Sequence, residues 1–347
     1  MAMEPATRTP RPGRPLEPFQ VLVAIVAILS AAAALTFKSV RDAGTLVINS
    51  TDPTPYGYTV SLALFLCPVA GLGWWFLRHP EHRLPRKAFT RTILVLTPLG
   101  FVLDLLFGHT FFTFPNHGAT LGIAIPAVGG PIPIEEFAFY LSGFLVVLLL
   151  YIWADEYWVA AYNVEDYAAS ARGMGRLARF HGVSVALGAA LIGTAVLYKR
   201  FLSPSPEGFP SYFTYLVLAS LVPSAGFFRT VHPFINWRAF GFTFFFILLV
   251  SLLWEATLGV PYGWWGYERT AMMGLTIRAW SGLPVEAVLV WFAVTFTTVI
   301  VYEVIKIWQA LGVRAKEAFF GLGAHGAEPI SSPSHPPAPG AASSGRA

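Results

Sequence analysis

Eight stretches of about twenty mostly apolar residues follow one another along this chain, separated by polar or Pro/Gly-rich connections. They lie at about 18–37, 58–77, 89–107, 132–153, 181–199, 210–228, 238–257 and 284–305. A helix needs about 20 such residues to cross a bilayer. The chain is 55% hydrophobic and 12% charged, whereas soluble domains carry about 25% charged residues. The sequence therefore predicts an all-α integral membrane protein with about eight transmembrane helices.

The distribution of Lys and Arg predicts the orientation of these helices. If the N-terminus is cytoplasmic, the segments on that side hold 17 of these residues and the outer segments hold 6. Because cytoplasmic loops of membrane proteins collect positive charge, we expect both termini to be cytoplasmic in a multi-pass protein of the cell (plasma or inner) membrane. The same rule explains the net charge of +4. No stripe of basic residues with nucleic-acid motif spacing is present, so we predict no nucleic-acid partner.

The two ends of the chain differ in character from the apolar stretches. Residues 1–17 form a basic, Pro-rich N-terminal tail, and the apolar run after them lacks a convincing cleavage site. We therefore expect a retained first helix rather than a removed signal peptide. Residues 321–347 have no apolar periodicity and are predicted to be disordered. The single cysteine, Cys67, is expected to be a packing residue.

One arrangement of acidic residues occurs twice. Asp104 precedes Pro133 by 29 residues, and Glu255 precedes Pro284 by the same 29. Each copy thus has an acid late in one apolar stretch and a Pro-x-Glu at the start of the next. The two Pro-x-Glu motifs read Pro133-Ile134-Glu135-Glu136 and Pro284-Val285-Glu286-Ala287. Carboxylates are costly inside a membrane, so such a repeated pair indicates a functional site.

The duplication also predicts the domain organisation. Four helices per copy is an even number, so both copies enter the membrane in the same sense. We expect two parallel four-helix repeats, at 18–154 and 181–310. The segment 155–180, which mixes acids and arginines, is predicted to be a solvated cytoplasmic linker. The two motif loops, about 108–131 and 258–283, then lie on the outer side, where their apolar side chains allow them to dip into the membrane.

The position of the acids predicts proton chemistry. Proline suits the first position of a helix, and the free N–H groups there favour an ionised carboxylate. A capped helix start explains one such motif, but not a matching upstream acid in both copies. Burial and nearby like charges favour the neutral acid instead. If these carboxyls meet in one dry pocket, we expect at least one to keep its proton and to protonate an alkene. The catalytic candidates are Asp104, Glu135, Glu136, Glu255 and Glu286.

Aromatic residues near the motifs are candidates to stabilise the resulting carbocation, because aromatic faces attract cations. They are Phe137, Phe139, Tyr140, Trp254, Trp265, Trp280 and Trp291. Each residue of this type is more often a packing or interface residue, so the sequence leaves both roles open.

Other site chemistries have less support. His109 and His117 lie in the first motif loop near Asp104 and Glu135, but the second copy has no matching histidine and the spacing fits no zinc pattern. We therefore predict no metal site. A Rossmann fingerprint, a Walker A loop and an Asp-rich diphosphate-binding motif are all missing from the sequence.

Four further charged residues belong to the second repeat. Arg269 and Arg278 in its motif loop are candidates to pair with the acids of the second copy. Glu303 and Lys306, near the end of the last apolar stretch, are expected to lie at the membrane interface.

These motifs resemble the membrane lycopene cyclase domain family over about residues 55–305. The first half matches at Leu103-Asp104, Leu121-Gly122-Ile123 and Pro133-Ile134-Glu135-Glu136-Phe137. The second half matches at Trp254-Glu255, Trp265-Gly266-Tyr267-Glu268-Arg269, Gly274-Leu275-Thr276-Ile277 and Leu283-Pro284-Val285-Glu286. Three departures affect the expected substrate. Ala287 stands where the family has a second carboxylate or carboxamide, and Glu255 replaces an aspartate. The first motif is also preceded by Gly129-Gly130-Pro131 rather than by a simple loop.

The resemblance implies carotenoid biosynthesis, with proton-initiated, non-redox cyclisation of the ψ end groups of lycopene to β rings. Such an enzyme is an isomerase (intramolecular lyase). Glu135, Glu136 and Glu286 are then the acid/base groups, with Asp104 and Glu255 in support. The implied partners are an apolar polyene within the bilayer, membrane lipid and other carotenoid enzymes. The chemistry requires no cofactor, although a non-redox part for reduced flavin stays open.

Three other functions stay open on the sequence. The first is a cyclase of a shorter terpenoid that uses the same chemistry. The second is a membrane prenyltransferase, and the third is a non-enzymatic, proton-coupled carrier.

Overall fold

The computed structural model of this protein describes residues 54–81 and 84–321. The first predicted span, about 18–37, lies outside the described residues, as do the N-terminal tail and all but the first residue of the predicted C-terminal tail. The described part contains seven helices long and apolar enough to cross a membrane: Gly57–Arg78, Arg86–Phe111, Ile134–Trp158, Gly182–Phe201, Ser211–Val231, Trp237–Gly259 and Glu286–Leu311. The prediction of a mostly helical chain with multiple membrane-spanning helices is confirmed for this part.

The α-helices of the described residues follow the apolar stretches closely. They are α1 Gly57–Ser61, α2 Ala63–Arg78, α3 Arg86–Phe111, α4 Ile134–Trp153, α5 Tyr167–Ala171, α6 Gly182–Phe201, α7 Ser211–Val231, α8 Trp237–Trp254, α9 Glu286–Leu311 and α10 Ala315–Phe320. Two of them continue as a π-helical turn, α4 through Ala154–Trp158 and α8 through Glu255–Gly259. Single π-helical turns occur frequently at functional sites, and the second one begins at a candidate acid.

Helices α4 and α9 form the centre of the bundle. In the most apolar window of each span, 67% of the α4 residues and 56% of the α9 residues are buried, against 17% for α6. Helix α4 packs against α2, α3, α8 and α9, whereas α9 packs against α3, α7 and α8 as well. The outer helices expose large apolar side chains such as Trp74, Leu94 and Val183, as a lipid-facing surface does. Cys67 also faces outward on α2, so the expectation that it packs inside is wrong.

Short strands organise the two motif loops. They are β1 Phe112–Thr113, β2 Ala124–Ala127, β3 Gly130–Pro133, β4 Gly266–Tyr267, β5 Thr276–Ile277 and β6 Leu283–Pro284. Antiparallel pairing joins β2 to β3 and β5 to β6, and the partner of the motif proline is Ala124 in the first pair and Thr276 in the second. Strand β1 pairs with β4, with Phe112 opposite Tyr267. The two motif loops are therefore hydrogen-bonded to each other.

At the opposite end of the bundle, the segment 155–180 begins inside the protein rather than in solvent. Asp155 lies in the π-helical turn that extends α4 and is 0% exposed. Lys306 on α9 places its Nζ 3.3 Å from Asp155 Oδ2 and 2.8 Å from Glu156 Oε1. The prediction of a solvated segment is therefore wrong at Asp155, because a lysine from the last long helix neutralises its charge within the protein.

Glu303 is also buried at this end. It is 0% exposed and accepts hydrogen bonds from the hydroxyls of Tyr151, at 2.8 Å, and Tyr167, at 2.9 Å. Glu303 is therefore enclosed by protein rather than exposed, and Lys306 is partly buried beside it; their expected position at the membrane interface stays a prediction. We call this group the distal cluster: Tyr151, Asp155, Glu156, Tyr167, Glu303 and Lys306.

Candidate functional site

The first Pro-x-Glu motif lies where a strand turns into a helix. Pro133 ends β3 in an extended conformation, α4 starts at Ile134, and both glutamates lie in its first turn. Glu135 Oε1 accepts hydrogen bonds from the backbone N–H of Leu121, at 2.7 Å, and from Thr59 Oγ1, at 2.6 Å. Consecutive helical side chains point about 100° apart. Glu136 consequently faces a different part of the protein from Glu135.

The second Pro-x-Glu motif has the same local arrangement. Glu286 is the first residue of α9, and its Oε1 accepts a hydrogen bond of 2.6 Å from the backbone N–H of Met273. This bond corresponds to the one between Glu135 and the first motif loop. The next loop residue in each copy is a glycine in the left-handed region, with φ of 74° at Gly122 and 90° at Gly274, where glycine carries no steric penalty. Glu135 and Glu286 thus fasten each motif loop to the helix that follows it.

A cavity lies between α4, α8, α9 and the motif loops. Its empty volume, including the open space at its mouth, is about 650 Å³. Most of its wall is aromatic, and the two carboxyls in the wall, Glu136 and Glu255, come from different copies of the motif. The aromatic lining residues are Tyr58, Phe112, Phe139, Tyr140, Phe144, Tyr212, Trp254, Trp265, Tyr267 and Trp291.

The seven aromatic candidates from the sequence divide into two groups. Those that line the cavity are Phe139, Tyr140, Trp254, Trp265 and Trp291. Phe137 instead meets Phe101 edge to face, with 5.0 Å between the ring centroids. Trp280 packs against the apolar cluster that contains Leu283. Neither of these last two residues is part of the cavity wall.

Both oxygens of Glu255 are occupied by hydrogen-bond donors. Oε1 accepts from Ser251 Oγ, at 2.8 Å, and from Trp291 Nε1, at 3.5 Å, while Oε2 accepts from the hydroxyl of Tyr267. Burial and the neighbouring Glu255 carboxylate raise the pKa of the Tyr267 phenol well above its usual range. Tyr267 therefore stays a donor, and Glu255 is held firmly on one side of the cavity.

Glu136 differs from the other four candidate acids in its second oxygen. Its Oε1 accepts a hydrogen bond of 2.5 Å from Tyr58. No described group donates a hydrogen bond to its Oε2, and this oxygen is not among the fully buried atoms that lack a partner. By contrast, the second oxygens of Glu135, Glu286 and Asp104 are completely buried without a partner. Of the five acids, Glu136 alone presents an uncommitted oxygen to the cavity.

The remaining first-copy acid, Asp104, lies on α3 outside the cavity wall. It is 3% exposed and interacts electrostatically with Glu136. His109, one turn later, places Nε2 3.0 Å from the carbonyl oxygen of Pro131 and packs over the β2–β3 turn. Among the residues that the structure describes, no three His, Cys, Asp or Glu side chains form a group that could hold a metal ion.

The pairing considered for Arg269 and Arg278 is not found, since neither forms an ion pair in residues 54–81 and 84–321. The cation that interacts with Glu286 is Lys199 on α6. Its side chain is buried, and Nζ donates a hydrogen bond of 3.2 Å to the carbonyl oxygen of Arg269. Among the described residues Lys199 forms no ion pair with Glu286, so its charge acts on this acid only through space.

Six residues of the site are not among the sequence candidates: Tyr58, Phe112, Phe144, Tyr212, Ser251 and Tyr267. Tyr267 lies within the Trp265-Gly266-Tyr267 run next to an aromatic candidate, and that proximity was a usable signal. Ser251 lies one turn before Glu255, where helical side chains meet. Tyr58, Phe112, Phe144 and Tyr212 carry no such local signal.

Comparison of the chain with family models, curated proteins and solved structures finds no match. The function has to be inferred from the chemistry of the site.

Proposed function

We propose that this chain is a membrane cyclase of carotenoid biosynthesis that converts the ψ end groups of lycopene into β rings. One observation carries the proposal. The free oxygen of Glu136 opens into an aromatic cavity, with the hydrogen-bonded carboxyl of Glu255 also in its wall. This arrangement suits an acid that protonates a hydrocarbon and a fixed anion that stabilises the product cation.

In the proposed reaction, Glu136 enters as the neutral acid. Its proton adds to the terminal double bond of the ψ end group, which gives a tertiary carbocation and leaves Glu136 as a carboxylate. A second double bond of the same end attacks the cation and closes a six-membered ring, and the positive charge moves to a ring carbon. Loss of a proton from the adjacent carbon to a carboxylate restores a double bond. One proton is added and one is removed, and no electrons are transferred.

The cavity wall supports each charged step. The faces of Trp254, Trp265 and Trp291 attract a cation, each by about 0.5–2 kcal/mol. The Glu255 carboxylate adds Coulombic stabilisation, and its three donors keep it in place rather than free to attack the cation. An apolar wall also excludes water, which would trap the cation as an alcohol.

The wider assignments belong to the same proposal. The two halves are parallel four-helix repeats, each of which contributes one cavity acid. The polyene enters from the bilayer, and membrane lipid and other carotenoid enzymes are the neighbours of this chain. Both termini are cytoplasmic in the cell membrane. A shorter terpenoid would undergo the same chemistry.

The test uses adjacent isosteric substitutions in a host that accumulates lycopene. Glu136→Gln removes the transferable proton and should abolish cyclic products. Glu135→Gln keeps an oxygen that accepts from Leu121 and Thr59, and should retain substantial activity at equal protein level in the membrane. Purified wild-type protein in D₂O should place one deuterium in each new ring.

Two outcomes would reject the proposal. Wild-type yield of cyclic carotenoid from Glu136→Gln removes the role of this acid. Absence of cyclic products from the wild-type chain, with lycopene and with shorter polyenes, removes the cyclase assignment. Diphosphate release would instead indicate a prenyltransferase, and proton flux without product a carrier.

A further inference from the structure

Tyr58 makes the closest contact to the proposed acid. It is 1% exposed, and its hydroxyl donates a hydrogen bond of 2.5 Å to Glu136 Oε1. Its ring packs among tryptophans, with centroids 5.1 Å from Trp265 and 5.9 Å from Trp254. The tyrosine therefore has little freedom to turn away from the carboxyl.

The short segment that carries Tyr58 is held by both motif loops. The backbone N–H of Tyr56 donates to the carbonyl of Gly118 in the first loop, at 3.1 Å. Trp264 in the second loop donates from Nε1 to Thr54 Oγ1, at 2.8 Å. A Cβ at Gly57 would lie 2.5 Å from the Trp264 ring, so only glycine allows this close approach.

The same segment is also tied to the wall of the cavity. Trp254 Nε1 donates to Ser61 Oγ, at 2.7 Å, and Ser61 Oγ donates to the carbonyl oxygen of Tyr58, at 2.6 Å. Tyr56 has a φ of 57°, a conformation that a non-glycine residue adopts only when its surroundings enforce it. Helix α1 is thus fixed from three sides, although it is only five residues long.

Resting on the proposed function, we infer that Tyr58 is a positioning residue that holds Glu136 Oε1 so that Oε2, with the proton, faces the polyene. A glutamate side chain has three rotatable bonds. A strong hydrogen bond to one oxygen selects one arrangement of them, and the other oxygen is then directed into the cavity. Tyr58 keeps its own proton in every step, so the proton balance of the cyclisation is unchanged.

Tyr58→Phe tests this role because it keeps the ring in the wall and removes only the hydroxyl. With purified protein and lycopene in detergent micelles, kcat should fall by about 10- to 100-fold, the effect of misplacing a reacting group by about 1 Å. KM should stay within about two-fold, since the hydroxyl does not bind the substrate. Tyr302→Phe is the control, because Tyr302 is equally buried but lies at the other end of α9 with an unpaired hydroxyl.

A second variant acts on the segment rather than on Tyr58. Trp264→Phe removes the hydrogen bond to Thr54 and loosens α1, yet Trp264 does not line the cavity. It should also lower kcat with little change in KM, and it replaces Tyr58→Phe if that protein does not fold.

The inference is overturned if kcat of a folded Tyr58→Phe protein equals that of wild type. It is also overturned if KM alone rises, or if the lost activity only follows lost protein. In these cases the wild-type chain still forms rings, so the proposed function stands. Failure of the wild-type chain to form rings would remove the proposed function itself.

Discussion

Gly143 offers the sharpest test of the proposed polyene site. It lies on α4 two turns after Glu136, on the helix face that lines the cavity. A Cβ at this position would lie 3.8 and 3.9 Å from two atoms of the Trp291 ring, which is ordinary van der Waals contact. Alanine therefore fits without strain. The additional carbons of a leucine cannot extend toward Trp291 and must enter the cavity.

The expected changes in stability and in ring formation follow from this geometry. Glycine inside a helix is about 1 kcal/mol less favourable than alanine, so Gly143→Ala should raise the free energy of unfolding by roughly 0.5–1 kcal/mol and keep activity. Gly143→Leu should displace the polyene end by more than 1 Å from Glu136 Oε2. A misplacement of about 1 Å costs about 10²-fold in rate, so we expect at least that loss of ring formation.

The assay is chromatographic analysis of the pigments in a lycopene-accumulating host, with the protein level in the membrane measured in parallel. Gly193→Leu on α6 is the matched control, because a Cβ there meets no atom within 4 Å, and it should leave the products unchanged. If a folded Gly143→Leu protein forms rings at the wild-type rate, the polyene does not occupy the space between Glu136 and Trp291. The reasoning from the cavity would then be refuted.

Two predictions concern the distal cluster and stability in detergent. Lys306→Met should lower the free energy of unfolding by about 3–5 kcal/mol because it leaves buried acids without their cation. Arg314→Ala breaks only an exposed pair with Glu317 and should lower it far less. Equal losses would contradict this. Burial and the Glu303 carboxylate raise the pKa of Tyr167 above its usual value of about 10. The neutral phenol therefore stabilises the fold fully below about pH 10, and this contribution is lost as pH rises further. Thermal midpoints of Tyr167→Phe should consequently fall less steeply above that pH than those of wild type, and parallel curves would refute this role.

The helices could be predicted from sequence because their signals are local. Seven apolar stretches of sufficient length became seven helices of the expected span. Proline followed by acids predicted the helix starts at Ile134 and Glu286, since proline and first-turn carboxylates favour that position. These features depend on residues a few positions apart, so the rest of the chain does not alter them.

The different roles of Glu135 and Glu136 could not be predicted from the sequence in the same way. Glu135 and Glu136 are neighbours in sequence, but one residue turns a helical side chain by about 100°. Which of them faces the cavity is therefore decided by how α4 sits against α8 and α9. The hydroxyl of Tyr58 reaches Glu136 across 78 positions of the chain, and no local pattern carries that information.

The burial of charged residues at the far end of the bundle could not be predicted from the sequence either. A lysine and a glutamate near the end of an apolar stretch ordinarily lie at the membrane interface. Here Tyr167, from a segment that looks polar in sequence, folds back and donates to Glu303. Burial of such charges depends on a partner that the sequence does not mark.

The pairing of β1 with β4 has a consequence for the order in which the site forms while the protein is being synthesised. Phe112 is made early, whereas its partner Tyr267 leaves the ribosome only after α6, α7 and α8. The cavity then still lacks the wall that Trp291 provides on α9. A nascent chain therefore holds Glu136 beside a half-built pocket open to lipid until the last long helix has inserted. If the proposed function holds, reaction with a polyene can begin only after translation of the second half is almost complete.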